Sequence, residues 1–173
     1  MGIPFIPVRG IIGSDYMRVR EDFKVIPNPY GGDDVLVVPA IVPDVAILHG
    51  FQADSRGNVL VERKSDIDLA VFASRKVIAT VEEMVPNGKL HPTARRELIS
   101  WIHFDAVVEV PYGAHPTACP EVYGVDETHV REYLHSARDG ESFSRYLERY
   151  VFTVGNHAEY LSRIGIRCKS KAV

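Results

Sequence analysis

Four short apolar runs constrain this chain more than anything else in it. Residues 35–40 (Val-Leu-Val-Val-Pro-Ala), 45–49, 77–81 and 107–110 are valine-rich and too short to be packed helices. Such runs read as buried strands. Between the second and third, Ile67, Leu69, Ala70, Val71 and Ala73 suit a short packed helix over 66–74, with Ser65 or Asp66 as its cap. Residues 51–58 read as a polar segment ending in a Gly57-Asn58 turn, ahead of a short strand at 59–61. Residues 93–101 read as a helix with Arg95, Arg96 and Glu97 outward. The last third is helical. Residues 126–137 start at an Asp126 cap and put Val130, Tyr133, Leu134 and Ala137 on one face. Residues 141–152 carry Phe143, Tyr146, Leu147 and Tyr150 at helical spacing, and 157–164 form a third helix. The expected fold is α/β, an open, largely parallel sheet with a helical C-terminal tail. The Pro43-Asp44 link is short enough to make the strands at 35–40 and 45–49 expected neighbours. A chain of 173 residues suits a single domain, 1–173.

Charge and cysteine usage narrow the function classes. A net charge of −3 lacks the basic excess of a nucleic-acid-binding protein. No run of about 18 apolar residues is present, so no membrane span is expected. Cys119 and Cys168 give neither a disulfide framework nor a metal-ligand spacing, which fits a reducing, cytoplasmic compartment. Residues 1–12 are apolar from the start, and Pro4 and Pro7 make them extended. The stretch reads like the middle of a protein, and Ile3, Phe5, Ile6, Ile11 and Ile12 would favour association if left bare.

The chemistry concentrates after the last strand. Pro111 ends the run at 107–110, Gly113 lets the chain turn, and His115-Pro116 fixes an extended exit. A strand end carrying one histidine and several backbone N–H groups is where an α/β sheet binds ligands. A plain turn with an exposed histidine is the competing reading. Glu82 and Glu83 follow a strand, and adjacent strand residues point to opposite faces, so they are not a ready acid/base pair. His49, Gln52, Asp54, Asp66, Asp68, His103, Asp105 and His115 include metal-type side chains without any ligand spacing, so no metal site is assigned. Ser14 lacks the frame of a nucleophile elbow. Cys119 is a candidate thiol nucleophile, or a small buried structural thiol. No Gly-x-Gly-x-x-Gly or phosphate loop occurs.

Several stretches together resemble one family. They are Arg-Gly-Ile-Ile-Gly-Ser-Asp at 9–15, Val38-Pro39-Ala40 with Asp44-Val45-Ala46, and His49 with Asp54 and Gly57-Asn58. Asp68-Leu69-Ala70 leading to Val81-Glu82-Glu83, and Glu-Val-Pro-Tyr-Gly-Ala-His-Pro-Thr at 109–117, complete the set. The chain resembles the A (alpha) subunit of family I CoA-transferases, of the glutaconate CoA-transferase type, and the related steroid-ring-degrading acyl-CoA hydrolases. The resemblance implies the CoA-transferase-like form of the α/β fold. It also implies a hetero-oligomer with a B (beta) subunit, and acyl-CoA and carboxylate substrates without a resident cofactor. In the glutaconate type the acyl-accepting glutamate lies on the B subunit, so no catalytic residue is assigned here. Ser14, Gly113, Ala114 and His115 are expected to wall the acyl pocket, with His115 or the loop N–H groups polarising a carbonyl. Gln52, Asp54 and Glu82 are second choices. The family's opening βαβ half has no counterpart here, which leaves a truncated or split subunit, or a non-catalytic interaction module, as further readings.

Overall fold

The computed structural model describes residues 2–63 and 66–166. Ser65 and Cys168 lie outside the described residues. The strands form two sheets. β1 (Phe5–Val8), β2 (Lys24–Ile26) and β3 (Val35–Pro39) make an antiparallel sheet in the order β1-β3-β2. β4 (Val45–Asp54), β5 (Val59–Glu62), β6 (Lys76–Val85), β7 (Arg96–Ile99) and β8 (Ala106–Glu109) make a second, in the order β7-β5-β4-β6-β8. β4, β6 and β8 are mutually parallel, while β5 and β7 add an antiparallel flank. The α/β expectation holds, with the sheet mixed rather than parallel throughout.

α1 (Tyr16–Val19) is a single turn. α2 (Ile67–Ala73) belongs to the crossover between β4 and β6 and buries Val71. It joins a core of Ala46, Ala53, Val59, Val61, Val77, Ala79, Val81 and Ile99. A Cβ at Gly50 would stand 2.8 Å from a Val59 methyl and 3.0 Å from the Leu60 carbonyl, so the β4–β5 approach requires glycine there. α3 (Glu127–Ser136), α4 (Gly140–Leu147) and α5 (His157–Arg163) form the helical tail.

Several expectations need correction. The strands from 35–40 and 45–49 are not neighbours. β3 pairs instead with β1, which gives the apolar N-terminal stretch a partner, and the Pro43-Asp44 link carries the chain to the other sheet. β4 and β6 each run for ten residues, so Phe51 to Asp54 are strand and Glu82 and Glu83 sit inside β6. Residues 93–101 hold a strand in place of a helix. Thr93 Oγ1 accepts from the N–H groups of Arg95 and Arg96, which turns the chain into β7. There Ile99 is buried beside exposed Leu98, a period-two pattern along β5. The 126–137 helix starts at Asp126 as expected, but His129 is its buried residue, while Tyr133 and Leu134 are exposed. The 141–152 helix widens after Leu147 into a π-turn over Glu148–Phe152.

Candidate functional site

β8 ends level with the middle of β6, so the 110–117 loop that follows it lies beside mid-strand residues of β4 and β6. His49 on β4 stands in register with Thr80 on β6, and Glu82 follows on the same face of β6. His49 Nε2 lies 2.5 Å from Glu82 Oε1, and its Nδ1 lies 2.8 Å from Thr80 Oγ1. Because the carboxylate only accepts, the His49 Nε2–H donates to Glu82, while the Thr80 hydroxyl stands between His49 Nδ1 and the Leu48 carbonyl, 3.4 Å away. Glu82 receives two further hydrogen bonds. The Tyr123 hydroxyl donates to Oε1 at 2.7 Å, and the Tyr112 N–H donates to Oε2 at 2.7 Å. The His49 and Glu82 side chains are only 14% and 10% exposed, so these contacts form in low dielectric. Tyr112 stacks on Tyr123 at 4.7 Å and holds a φ of 59°, a left-handed conformation uncommon for a tyrosine. Gly113 is required for a related reason. A Cβ there would lie 2.8 Å from both His49 Cε1 and the Val110 carbonyl.

A cavity of about 110 Å³ opens against this array, lined in part by His49, Glu62, Ala114, Ala118 and Cys119. Cys119 is buried, and burial, with the Glu82 charge behind it, pushes its thiol up to about 11. It is therefore a protonated wall, not a ready nucleophile. Burial and then the Glu82 hydrogen bond push the Tyr123 phenol up as well. A larger, open concavity of about 710 Å³ lies between residues 8–12 and 28–35, with Arg9, Asp33 and Asp34 as its charged groups. It contains none of the polar array.

His115 belongs to a second cluster, in the helical tail. Its side chain is 5% exposed. Nδ1 lies 2.7 Å from the Tyr160 hydroxyl on α5, and Nε2 lies 3.2 Å from Asp126 Oδ2. The His129 ring stands edge-on at 4.9 Å, with its own Nε2 at 2.8 Å from the Tyr146 hydroxyl. The His129 backbone N–H, then His115, hold the Asp126 carboxyl below its usual range. Burial, then the neighbouring His115 imidazole, hold the His129 imidazole below its own. Burial pushes the Tyr160 phenol up to about 12. The His115–Pro116 peptide is cis.

The remaining expected pocket residues are dispersed. Ala114 reaches the cavity wall, and its N–H donates to the Tyr123 hydroxyl at 3.0 Å. The Gly113 and His115 N–H groups donate to the carbonyls of Val110 and Tyr112. The loop donors expected to polarise a carbonyl are thus committed within the loop and its neighbours. Asp54 builds the β4–β5 turn, accepting from the N–H groups of Arg56 and Asn58 and from the Asn58 side chain. Burial opposes its charge, and those donors more than compensate, holding its carboxyl low. The Gln52 amide donates to Glu83. Ser14 lies ahead of α1 and donates to the Ile11 carbonyl. Sequence reasoning missed Thr80, Tyr112 and Tyr123. The pairing of His49 with Thr80 depends on sheet register, and Tyr123 arrives from 41 residues beyond Glu82.

A buried His–Glu–Tyr array carried in mid-strand by β4 and β6, beside the glycine-dependent loop that follows β8 and a small cavity, marks an α/β protein with a polar site of the ligand-handling kind. The chain belongs to the Coenzyme A transferase family, whose model matches residues 1–110. It is similar to the A-subunit of glutaconate CoA-transferase from Acidaminococcus fermentans, at 32% identity over 95% of this chain and 57% of that protein. The crystal structure of that transferase matches with a TM-score of 0.83 at 31% identity, again over 95% of this chain and 57% of that one. The A-subunit of 3-oxoadipate CoA-transferase from Pseudomonas knackmussii is 32% identical over 94% of this chain and 57% of its own. The cholesterol ring-cleaving hydrolase IpdA subunit of Rhodococcus jostii is 31% identical over 86% of this chain and 54% of its own. The chain thus spans little more than half the length of these relatives. Among the described residues, no helix is long and apolar enough to cross a membrane.

Proposed function

We propose that this chain serves as the A-subunit component of a heteromeric CoA-transferase. It would help move CoA between an acyl-CoA and a carboxylic acid through a glutamyl-CoA thioester on a partner B subunit. The observation that carries this is the state of Glu82. Both of its oxygens are occupied by three donors, from His49, Tyr112 and Tyr123. A carboxylate held by charge-assisted hydrogen bonds is a weak nucleophile, which supports reading Glu82 as a structural group and the partner's glutamate as the acyl acceptor. In this reading Glu82 fixes His49 and the 110–117 loop, and Ala114 and Cys119 shape a wall of the acyl pocket.

A second reading is an acyl-CoA hydrolase or ring-opening subunit of the same fold. It is favoured by the 2.5 Å His49–Glu82 contact, a pair able to hold and activate a water, and by the similarity to the hydrolase IpdA subunit. Capture of the chain's partner from native extract, followed by CoA exchange assays, separates the two. Exchange that requires a carboxylic acid acceptor supports the transferase. CoA release without acceptor supports the hydrolase, and a complex inert in both assays leaves a non-catalytic interaction module.

A further inference from the structure

We propose that His115, Asp126 and His129 form a binding site for a zinc-class divalent ion. The inference rests on this second cluster alone and not on the transferase reading. One donor atom from each of the three side chains lies within 4.8 Å of the other two. The His115 Nε2 to Asp126 Oδ2 separation is 3.2 Å. Donors about 2.1 Å from a tetrahedral zinc stand about 3.4 Å apart, so this pair is already at ligand spacing. The remaining separations stay within 4.8 Å, so small side-chain adjustments bring the three donors to ligand spacing.

The surroundings match those of a metal site. Each imidazole has its other nitrogen on a tyrosine hydroxyl, His115 Nδ1 on Tyr160 and His129 Nε2 on Tyr146. Such outer hydrogen bonds fix ring orientation and tautomer in metal-binding histidines. They leave His115 Nε2 and His129 Nδ1 for an ion. Two imidazoles and one carboxylate suit zinc, cobalt or nickel over magnesium or calcium, and the solvent side of Asp126 leaves room for a water as fourth ligand. The ion would tie the loop at His115 to the start of α3, with α4 and α5 holding the rings from behind. The other candidate set, His49, Glu82 and Cys119, is weaker, because the two Glu82 oxygens already take three donors, from His49, Tyr112 and Tyr123, and the Cys119 thiol is pushed up to about 11.

The test uses the full chain without a polyhistidine tag, stripped with chelator and titrated with Zn²⁺, and with Co²⁺ for its visible absorption. Uptake of one Zn²⁺ per chain is expected, with melting raised by about 5–10 °C at roughly a hundredfold excess over Kd. D126N keeps a helix-capping side chain and removes the anionic ligand. Y146F removes only the hydroxyl behind His129. Each is expected to weaken binding by about tenfold or more, with C119S unchanged and circular dichroism confirming the fold of all three. No uptake at sub-millimolar ion, undiminished uptake in D126N, or uptake lost in C119S would overturn the proposal.

Discussion

Replacing Glu82 by Gln keeps the side-chain shape and removes one acceptor. The carboxylate takes hydrogen bonds from His49 Nε2 and the Tyr123 hydroxyl on one oxygen and from the Tyr112 N–H on the other. An amide has one oxygen and one NH₂. If its oxygen serves His49 and Tyr123, its NH₂ faces the Tyr112 N–H, donor against donor. If it turns over, two donors lose their acceptor. Hydrogen bonds to a charged group contribute about 1.5–3 kcal/mol each, and a buried donor left unpaired costs about 1–3 kcal/mol. The expected loss for Glu82→Gln is therefore about 2–4 kcal/mol, because one bond is lost in the better orientation and the site is nearly closed to water. For a chain of this size that is a fall of about 5–15 °C in Tm. Thermal denaturation followed by circular dichroism reads it directly. A Tm within about 1 °C of the unmodified chain would refute the account of Glu82 as the post around which the loop is set.

Three further outcomes follow from the same geometry. Gly113→Ala drives a methyl into His49 and the Val110 carbonyl, and is expected to cost about 1–3 kcal/mol in urea denaturation. Cys119, buried and with its thiol pushed up to about 11, should resist alkylation near neutral pH, read peptide by peptide by mass spectrometry. Labelling at the rate of a free thiol would contradict that. Asp126→Ala removes the α3 cap and should cost about 1 kcal/mol at neutral pH. The Asp126 carboxyl titrates lower in the folded chain than the unfolded value of about 3.9. Its stabilisation is therefore fully present above that value and disappears as pH falls through the folded pKa. The gap between the two proteins should narrow as pH falls below that unfolded value, and a constant gap would show that the charge is not involved.

The strands at 45–49, 77–81 and 107–110 were legible because each is short, mostly apolar and rich in β-branched residues, although Ile47 and Val108 prove exposed. The segment before Trp101 was not, since its apolar residues are too few to separate a helical from a period-two pattern. Only pairing with β5 decides between them. Pairing across space also hid the attachment of β3 to β1. The opposite facing of Glu82 and Glu83 follows from the pleat alone, and one does turn into the polar array while the other meets Gln52. What Glu82 meets there was not legible, because His49, Tyr112 and Tyr123 reach it from 30 to 41 residues away. The prominence of His115 was visible in the Tyr-Gly-Ala-His-Pro loop. Its company of Asp126, His129 and Tyr160 depends on how the helical tail folds back onto that loop.

The central proposal is that the acyl-accepting carboxylate belongs to a partner and not to this chain. The complex captured from native extract, incubated with acyl-CoA and treated with borohydride to reduce an enzyme-bound thioester, gives a mass-tagged glutamate that peptide mapping can locate. The account predicts the tag on the partner chain and an unmodified Glu82. A tag on Glu82, or on any other carboxylate of this chain, would contradict it.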